Sequence, residues 1–402
     1  MGSRTDRAND LVARVIASED NKPQIKIEFS IANDQSVKVI RKTADFVFSL
    51  DNMSYFSGMS PEDGRVIFEG IPQKQGKFVE LCDNEVEIGT TYAYFVICDS
   101  SPGSFVGPAA VKVRDPYIFW SHSRILEKCE KLASEHGGRL VDLGESVGHK
   151  RLCALSVGNP NKTVALIGAV HAGEAGAELC LSVLEMVARE RRDLFDRVGI
   201  IALPSVNADG REQVVCGHPA YIRKNRNGID INRNFDANWK EIGTSYGTLT
   251  SDERSSTYRG PYPASEPETR AVVRLIEELR PTVAISYHHV SSITGDSMYA
   301  ARMAESDSEY VKRAEHVARL YKTGFREPIG YPMNKTVFYS GSSGGFPAYC
   351  YKHGIVGFDV EHWASDLSMF NGSKGDEPTR KMLDLCVKCH ASALIKLLEN
   401  MD

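Results

Sequence analysis

The pattern of apolar and polar positions changes once along the chain. Between residues 24 and 114, short segments alternate apolar and polar residues, as at Ile25, Ile27 and Phe29, and turn residues separate the segments. Alternation with a period of two predicts half-buried β-strands. About seven such segments in about 90 residues predict a β-sandwich over residues 22–115.

Beyond Asp115-Pro116, apolar runs of strand length alternate with segments whose apolar residues recur at helical spacing, such as Ala175–Glu190. Strands that alternate with helices predict an α/β fold, in which a mixed, mostly parallel sheet is flanked by helices. We therefore expect three regions: a polar lead-in over residues 1–21 that is a candidate helix, the sandwich over residues 22–115, and an α/β domain over residues 116–402.

Composition excludes several classes of function. The 402 residues carry a formal net charge of −5 and the pI is about 6.2, so the chain has no basic footprint for nucleic acid and no polybasic surface for a membrane. No apolar run approaches the roughly 20 residues that a membrane-spanning helix needs. The first ten residues are polar and contain no apolar signal-peptide core. Because a signal could have been removed, the compartment stays open.

The nine cysteines are odd in number and widely spread, so we expect reduced, mostly buried thiols rather than a disulfide framework. The stretch Cys386-Val-Lys-Cys389-His390 matches the pattern for c-type haem attachment. It lies, however, within the apolar periodicity of the last predicted helix, Thr379–Leu398. We interpret it as a C-terminal helix with two cysteines that face the core.

Three apolar runs of the α/β region end in residues that can bind a metal ion. The runs are Val164–Val170, Thr282–Tyr287 and Ile355–Val360, and they are followed by His171-Ala-Gly-Glu174, by His288-His289 and by Glu361. Because sites gather at the carboxyl ends of strands in such sheets, these side chains should lie together. Two histidines and one carboxylate with an open fourth position form a catalytic zinc set. A further glutamate beside them can act as a general base.

Two adjacent histidines compete for one ligand position. Strand alternation directs His288 and His289 to opposite faces of the sheet, so one of them faces the metal. A further polar block, Tyr221–Arg226 followed by Asp230–Asp236, is rich in arginine and asparagine. Arginine binds carboxylates through two parallel hydrogen bonds and stabilises oxyanions. A solvated surface loop is the alternative interpretation, which the position of the block between two ligand-bearing strands disfavours.

Together these residues make the segment of about residues 118–402 resemble the zinc carboxypeptidases of the carboxypeptidase A and B type. The matching motifs, in the family's order, are His171-x-x-Glu174, Arg223 in Ile-Arg-Lys, Asn232-Arg233 in Asp-x-Asn-Arg-Asn, His288 in Ile-Ser-x-His, Tyr339 upstream of Ser-Gly-Gly, and Glu361 in Phe-x-x-Glu. The pattern of Ile88–Ile97 in the predicted sandwich resembles the later strands of fibronectin type III or immunoglobulin-like modules.

The resemblance implies one zinc ion per chain, bound by His171, Glu174 and His288, and the family's register is the reason to prefer His288 over His289. It implies that Glu361 activates the zinc-bound water and passes a proton to the leaving amine. Arg223 would polarise the scissile carbonyl and stabilise the oxyanion.

The substrate implied by the resemblance is a peptide with a free C-terminal carboxylate. Asn232 and Arg233 would bind that carboxylate, and Tyr339 would close over the terminal residue. The implied reaction is zinc-dependent hydrolysis of the C-terminal peptide bond. The segment Phe346-Pro-Ala348 near the expected specificity pocket offers no charge, which argues against a preference for basic terminal residues. An aromatic terminal residue and the D-amino or diaminopimelate end of a cell-wall peptide both remain candidates.

Two other functions remain open. The aspartoacylase and succinylglutamate desuccinylase branch shares a His-x-x-Glu and an Asn-Arg pair, and would hydrolyse N-acyl amino acids. A protein that docks peptide or glycan without turnover is the second. Digestive carboxypeptidases also carry an arginine between the ligand histidine and glutamate, whereas this chain has Ala172-Gly173, so a secondary carboxylate contact is expected to be missing or supplied elsewhere.

Overall fold

The computed structural model describes residues 8–17, 22–44, 59–217, 222–241, 249–288, 297–328, 330, 335–339, 343–361 and 380–401. The chain separates into two compact units. The first comprises the described residues up to Phe119 and a short segment that begins at Gln213, and the second comprises the others. The domain boundaries inferred from the sequence stay a prediction.

The first unit consists of two antiparallel sheets. Its strands are β1 (Ala8–Ala17), β2 (Pro23–Ile31), β3 (Val37–Ala44), β4 (Arg65–Gly70), β5 (Lys74–Gln75), β6 (Phe78–Asp83), β7 (Thr91–Cys98) and β8 (Phe105–Lys112). Among the described strands, the order is β1-β2-β6-β5 in one sheet and β4-β3-β7-β8 in the other. The alternating apolar residues of β2 are almost completely buried in this unit's core, as period-two patterning requires.

Part of the lead-in differs from the sequence-based expectation of a helix. Residues Ala8–Ala17 form β1, which pairs with β2 in an antiparallel register from Ala8 opposite Ile31 to Ala17 opposite Pro23. A polar segment that pairs along the edge of a sheet needs apolar residues on one face alone, and Ala13 of β1 is buried. Local periodicity was too weak to indicate this pairing.

The second unit alternates strands with helices. Its elements are α1 (His122–His136), β9 (Arg139–Glu145), β10 (Arg151–Gly158), β11 (Thr163–Ile167), α2 (Gly176–Glu190), β12 (Gly199–Leu203), α3 (Ala208–Val215), α4 (Pro267–Leu279), β13 (Val283–His288), β14 (Ser297–Ala301), α5 (Ser308–Arg326), β15 (Lys335–Tyr339), α6 (Phe346–Lys352), β16 (Val356–Glu361) and α7 (Arg380–Glu399). Helix α3 runs across the division between the units.

The described strands of this unit form one sheet in the order β15-β14-β16-β13-β11-β12-β10-β9. Its centre is parallel, because β12, β11, β13 and β16 all run in the same direction. Strands β9, β10 and β14 make antiparallel pairs. The predicted mixed, mostly parallel sheet with flanking helices is confirmed. Strands β11 and β13 are buried along their whole length, as parallel strands covered on both faces should be.

The last helix explains the Cys-x-x-Cys-His pattern. Cys386, Cys389 and His390 all lie on buried positions of α7, and Nδ1 of His390 lies 2.7 Å from the hydroxyl of Tyr321 on α5. The interpretation of two core-facing cysteines is therefore confirmed. None of the helices in the described ranges is long and apolar enough to cross a membrane.

Close backbone packing at the end of β11 sets the path of the chain toward His171. A Cβ atom added to Gly168 would lie 2.5 Å from the carbonyl oxygen of Gly176, the first residue of α2, and 2.7 Å from that of Pro204. These are main-chain atoms and cannot rotate away. A side chain at Gly168 must therefore displace either α2 or the segment after β12.

We predict that Gly168→Ala lowers the free energy of unfolding by about 1–3 kcal/mol, the usual cost of overpacking a close-packed interior. Chemical denaturation followed by near-ultraviolet circular dichroism measures this change. The matched control is Gly103→Ala, where an added Cβ meets no atom within 4 Å. Equal stabilities of the two variants would contradict the role assigned to this packing.

Candidate active site

Three buried side chains of the second unit form a group that can hold a metal ion. One donor atom from each of His171, Glu174 and His288 lies within 4.8 Å of the other two. The three side chains are at most 4% exposed. Neutral imidazole nitrogens and a carboxylate oxygen are the ligands that zinc prefers, so the donor set fits the cofactor expected from the sequence.

The backbone brings these residues together from two neighbouring strands. Strand β11 ends at Ile167, earlier than predicted, and His171 follows it in a tight loop. Ala169 in that loop has a φ of +48°, a left-handed conformation that costs free energy for a residue with a Cβ atom. His288 is the last residue of β13, the parallel neighbour of β11. His289 lies outside the described residues.

Both imidazole rings present the same nitrogen to the shared carboxylate. Nδ1 of His171 lies 3.0 Å from Oε1 of Glu174, and Nδ1 of His288 lies 3.1 Å from Oε2. The two Nε2 atoms point away from the group. With Nε2 of each ring protonated and bound to an acceptor, the Nδ1 lone pairs are directed to the position between the three side chains.

The ionisation of the group follows from these contacts. Burial alone would raise the pKa of Glu174, but His171 and His288 hold that pKa well below its usual range. Burial alone would lower the pKa of His288, yet the carboxylates of Glu174 and Asp359 raise it well above the ordinary histidine value. A proton on His288 therefore competes with a metal ion for the site.

Asp230 holds the first histidine in place. Its Oδ1 lies 3.1 Å from Nε2 of His171 and accepts a hydrogen bond from the backbone N–H of Asn232 at 3.0 Å. Its Oδ2 accepts hydrogen bonds from Nε and Nη2 of Arg223, at 3.0 and 2.7 Å. Although burial opposes ionisation of Asp230, Arg223 and His171 lower its pKa far below the usual range. This carboxylate thus fixes both the ring of His171 and the guanidinium of Arg223.

Glu361 lies directly beside the metal-binding group. It is the last residue of β16 and stands opposite His288 in the parallel β13–β16 register. On its other side it pairs with Ser297 of β14. Glu361 is partly exposed, in contrast to the three buried ligands. A carboxylate at this strand end has the position and the solvent access that a general base needs.

Asn232 and Arg233 lie in a single 3₁₀ turn, Ile231–Arg233, which Asp230 caps. The amide of Asn232 is held at both ends: Nδ2 donates to Oδ2 of Asp359 at 2.9 Å, and Oδ1 accepts from the backbone N–H of Phe346 at 2.8 Å. Nη1 of Arg233 donates to the carbonyl oxygen of Asn232 at 2.7 Å. The turn is therefore anchored next to the metal group. The proposed grip on a substrate carboxylate stays a prediction.

The structure describes the backbone of Tyr339 but not its side chain. Tyr339 ends β15 and pairs with Ala301, whereas Glu361 pairs with Ser297 at the other end of β14. The Tyr339 backbone therefore stands at the opposite end of β14 from Glu361. Its role as a closing residue stays a prediction.

Arg211 on α3 supports the ligand loop from behind. Its completely buried guanidinium donates hydrogen bonds through Nη1 to the carbonyl oxygens of Ala172 and Glu174, at 3.0 and 2.9 Å. Nη2 pairs with Glu178 of α2, which is equally buried. A fork of five donors suits this arrangement, since lysine offers a single nitrogen. Loss of one partner would leave the other charge buried, at a cost of about 3–5 kcal/mol.

Sequence reasoning missed three residues of this site: Asp230, Asp359 and Arg211. Asp230 and Asp359 fall inside motifs that were recognised, Asp-x-Asn-Arg-Asn and Phe-x-x-Glu. A search for acceptors beside each predicted histidine ligand would have suggested them, because metal-binding histidines usually donate their second N–H to a carboxylate or carbonyl. Arg211 lies outside every recognised motif and gave no comparable signal.

The comparison with protein families agrees with this geometry. Residues 125–373 match the model of the zinc carboxypeptidase family, so the chain belongs to that family. The family predicted from the sequence is thereby confirmed. The predicted class of metalloprotease and the predicted zinc cofactor are confirmed with it. Membership does not assign the individual catalytic and substrate-binding residues, which rest on the geometry described above.

Similar curated proteins share shorter segments. Murein peptide amidase A of Escherichia coli (strain K12) is 32% identical over 122 residues, which cover 29% of this chain and 48% of that protein. The carboxypeptidase N catalytic chain of Rattus norvegicus is 31% identical over 175 residues, which cover 37% of each chain. The matched segments thus span less than half of these relatives.

Solved structures show the same fold. Bovine thrombin-activatable fibrinolysis inhibitor, in complex with tick carboxypeptidase inhibitor, aligns with a TM-score of 0.60 at 20% identity, covering 70% of this chain and 97% of that chain. A metallo-carboxypeptidase from Burkholderia cenocepacia aligns with a TM-score of 0.51 at 15% identity, covering 100% of this chain and 99% of the other.

We predict that Asp230→Asn weakens zinc binding by roughly 10–100-fold, because the amide can no longer accept from both His171 and Arg223 as a carboxylate does. Competition with a chromophoric chelator measures the zinc dissociation constant. Asp236→Asn is the control, since Asp236 is 60% exposed and pairs with Lys352 at the surface. Wild-type zinc affinity in Asp230→Asn would show that Asp230 does not orient the ligand.

Proposed function

We propose that this protein is a zinc-dependent carboxypeptidase, which hydrolyses the C-terminal peptide bond of a peptide substrate. One observation carries the proposal, namely that three features are joined by direct contacts. They are the His171–Glu174–His288 group, the partly exposed Glu361 in register with His288, and the anchored Asn-Arg turn. Family membership supports the reaction type. The neighbouring turn supports recognition of a carboxylate.

A bound zinc ion would supply Lewis acidity and lower the pKa of water at the site. The residues of the chain supply the remaining steps. Glu361 accepts the proton of the attacking water and delivers it to the nitrogen of the leaving amine. Because the backbone of Glu361 lies opposite His288 in the register, proton acceptor and metal site approach the same substrate bond.

In this proposal, Arg223 stabilises negative charge on the scissile carbonyl oxygen. The contact between its Nε and Nη2 and Asp230 fixes the plane of the guanidinium before substrate arrives. Preorganised positive charge of this kind needs no reorganisation when the oxyanion forms. Asp230 is thus shared between the metal ligand His171 and the oxyanion residue Arg223.

Asn232 and Arg233 bind the C-terminal carboxylate of the substrate. A carboxylate accepts charge-assisted hydrogen bonds from an arginine and a neighbouring amide. The need to bind a terminal carboxylate distinguishes this kind of exopeptidase from an endopeptidase. A relative named murein peptide amidase A, at 32% identity, favours cell-wall peptides as one class of substrate to be examined beside protein-derived peptides.

We predict that the zinc-loaded protein hydrolyses a peptide with a free C-terminal carboxylate at least roughly 100-fold faster, in kcat/KM, than the same peptide with a C-terminal amide. Amidation removes the charged hydrogen-bond acceptor and leaves the scissile bond unchanged. A series of peptides that varies the last residue and includes cell-wall peptides identifies the preferred substrate. Equal cleavage of acid and amide would overturn carboxylate recognition.

A second prediction concerns the base. Glu361→Gln should lower kcat by roughly 10²–10⁴-fold, since general acid–base catalysis contributes about that much, and should leave zinc affinity unchanged. Glu309→Gln, on an exposed residue of α5 that pairs with Lys312, is the control. Turnover by Glu361→Gln at the wild-type rate would exclude Glu361 as the base.

A further inference from the structure

Asp359 contacts both the metal-binding group and the Asn-Arg turn. Its Oδ2 accepts a hydrogen bond from Nδ2 of Asn232 at 2.9 Å. Its Oδ1 lies 3.4 Å from Nε2 of His288. Asp359 occupies the third-last position of β16, two residues before Glu361, and both residues therefore project from the same face of the strand.

We propose that Asp359 is a positioning residue that couples the metal ligand His288 to the substrate-binding amide of Asn232. The part that concerns Asn232 rests on the proposed carboxypeptidase function. The part that concerns His288 requires only that the group binds zinc.

The amide of Asn232 has one orientation that satisfies its neighbours. Oδ1 must face the backbone N–H of Phe346, and Nδ2 must then face Asp359. Within the described part of the chain, Nδ2 uses one of its two protons in this way. The second N–H of this fixed amide is the donor offered to a substrate carboxylate. Without an acceptor at Asp359 the amide loses the partner that holds Nδ2 in place.

The ring of His288 needs an acceptor for the nitrogen that does not bind the metal. With the Nδ1 lone pair directed at the metal position, Nε2 carries the proton. Two oxygens lie near Nε2: Oγ of Ser286 at 3.0 Å and Oδ1 of Asp359 at 3.4 Å. Oδ1 of Asp359 is buried and makes no hydrogen bond to any described residue, and its approach to Nε2 of His288 is a 3.4 Å charge contact. Among the described residues, the carboxylate therefore has an acceptor beside His288 that no other donor occupies.

A carboxylate is the side chain that can serve both partners together. Asp359 faces two donors: Oδ2 accepts a hydrogen bond from the N–H of Asn232, and Oδ1 lies 3.4 Å from Nε2 of His288. An asparagine in its place has one oxygen and one N–H₂ group. It can accept from one donor, and it then places N–H protons against the other. Ser286 differs in this respect, because its described contact at the site is with His288 alone.

Two variants, Asp359→Asn and Ser286→Ala, form the matched pair that tests this coupling. Both are prepared in the full chain that also carries Glu361→Gln, so that peptide is bound but not hydrolysed. Zinc affinity is measured by competition with a chelator, and the affinity of the zinc-loaded protein for a peptide with a free C-terminus is measured by calorimetry. Asp359→Asn should weaken zinc binding by roughly 10–100-fold and peptide binding by roughly 10-fold or more. Ser286→Ala should weaken zinc binding and leave peptide affinity within about twofold of the parent.

A double-mutant cycle separates positioning from general damage to the fold. If Asp359 acts on peptide through Asn232, adding Asp359→Asn to Asn232→Ala should change peptide affinity by less than about twofold. Independent losses in the two variants, or unchanged zinc and peptide affinities in Asp359→Asn, would overturn the coupling. Should the parent protein bind zinc but no peptide, the proposed function fails while the zinc comparison of Asp359→Asn still decides the contact with His288.

Discussion

The site depends on the burial of one carboxylate. Glu174 is completely buried, and an ion removed from water costs several kcal/mol unless close partners compensate. Its two oxygens face the imidazoles of His171 and His288. Those rings in turn need acceptors for their outer nitrogens, and Asp230 and Asp359 stand there. Carboxylates and imidazoles therefore alternate through the interior, and each is stabilised by the next.

These contacts close into a ring. Asp230 accepts from the backbone N–H of Asn232, and Asp359 accepts from the side-chain amide of the same residue. The groups that orient the two histidines thus meet at one asparagine, in the turn next to Arg233. In the proposed enzyme, a displacement of the turn would change the orientation of both rings, and a change at the metal position would change the amide offered to substrate. The metal-binding group and the Asn-Arg turn are therefore physically connected in this fold.

Much of this arrangement could be predicted from local sequence. Buried parallel strands are continuous apolar runs, so Val164–Val170 and Thr282–Tyr287 were recognisable, and the residues after them were correctly expected at one edge of the sheet. Strand β14, in contrast, has five residues with no clear period, and its place between β15 and β16 arises from long-range pairing. Asp359 and Arg211 were missed for a similar reason. Their partners lie 127 and 37 residues away in the chain, so local periodicity did not indicate these contacts.

The small residues between His171 and Glu174 follow from the same packing. Ala172 is completely buried, and its Cβ lies 2.9 Å from the position that a Cβ on Gly210 of α3 would take. Its carbonyl oxygen accepts from Arg211, one residue further along that helix. The backbone N–H of Gly173 donates to the carbonyl oxygen of Ile222 at 3.4 Å. Because Ala172 and Gly173 offer no side-chain donor, this loop cannot supply the arginine contact of digestive carboxypeptidases. Under the proposed function, Arg233 in the turn that Asp230 and Asp359 hold supplies charge for the substrate carboxylate, and the anchoring of Asn232 would then matter more than in an enzyme with a second arginine.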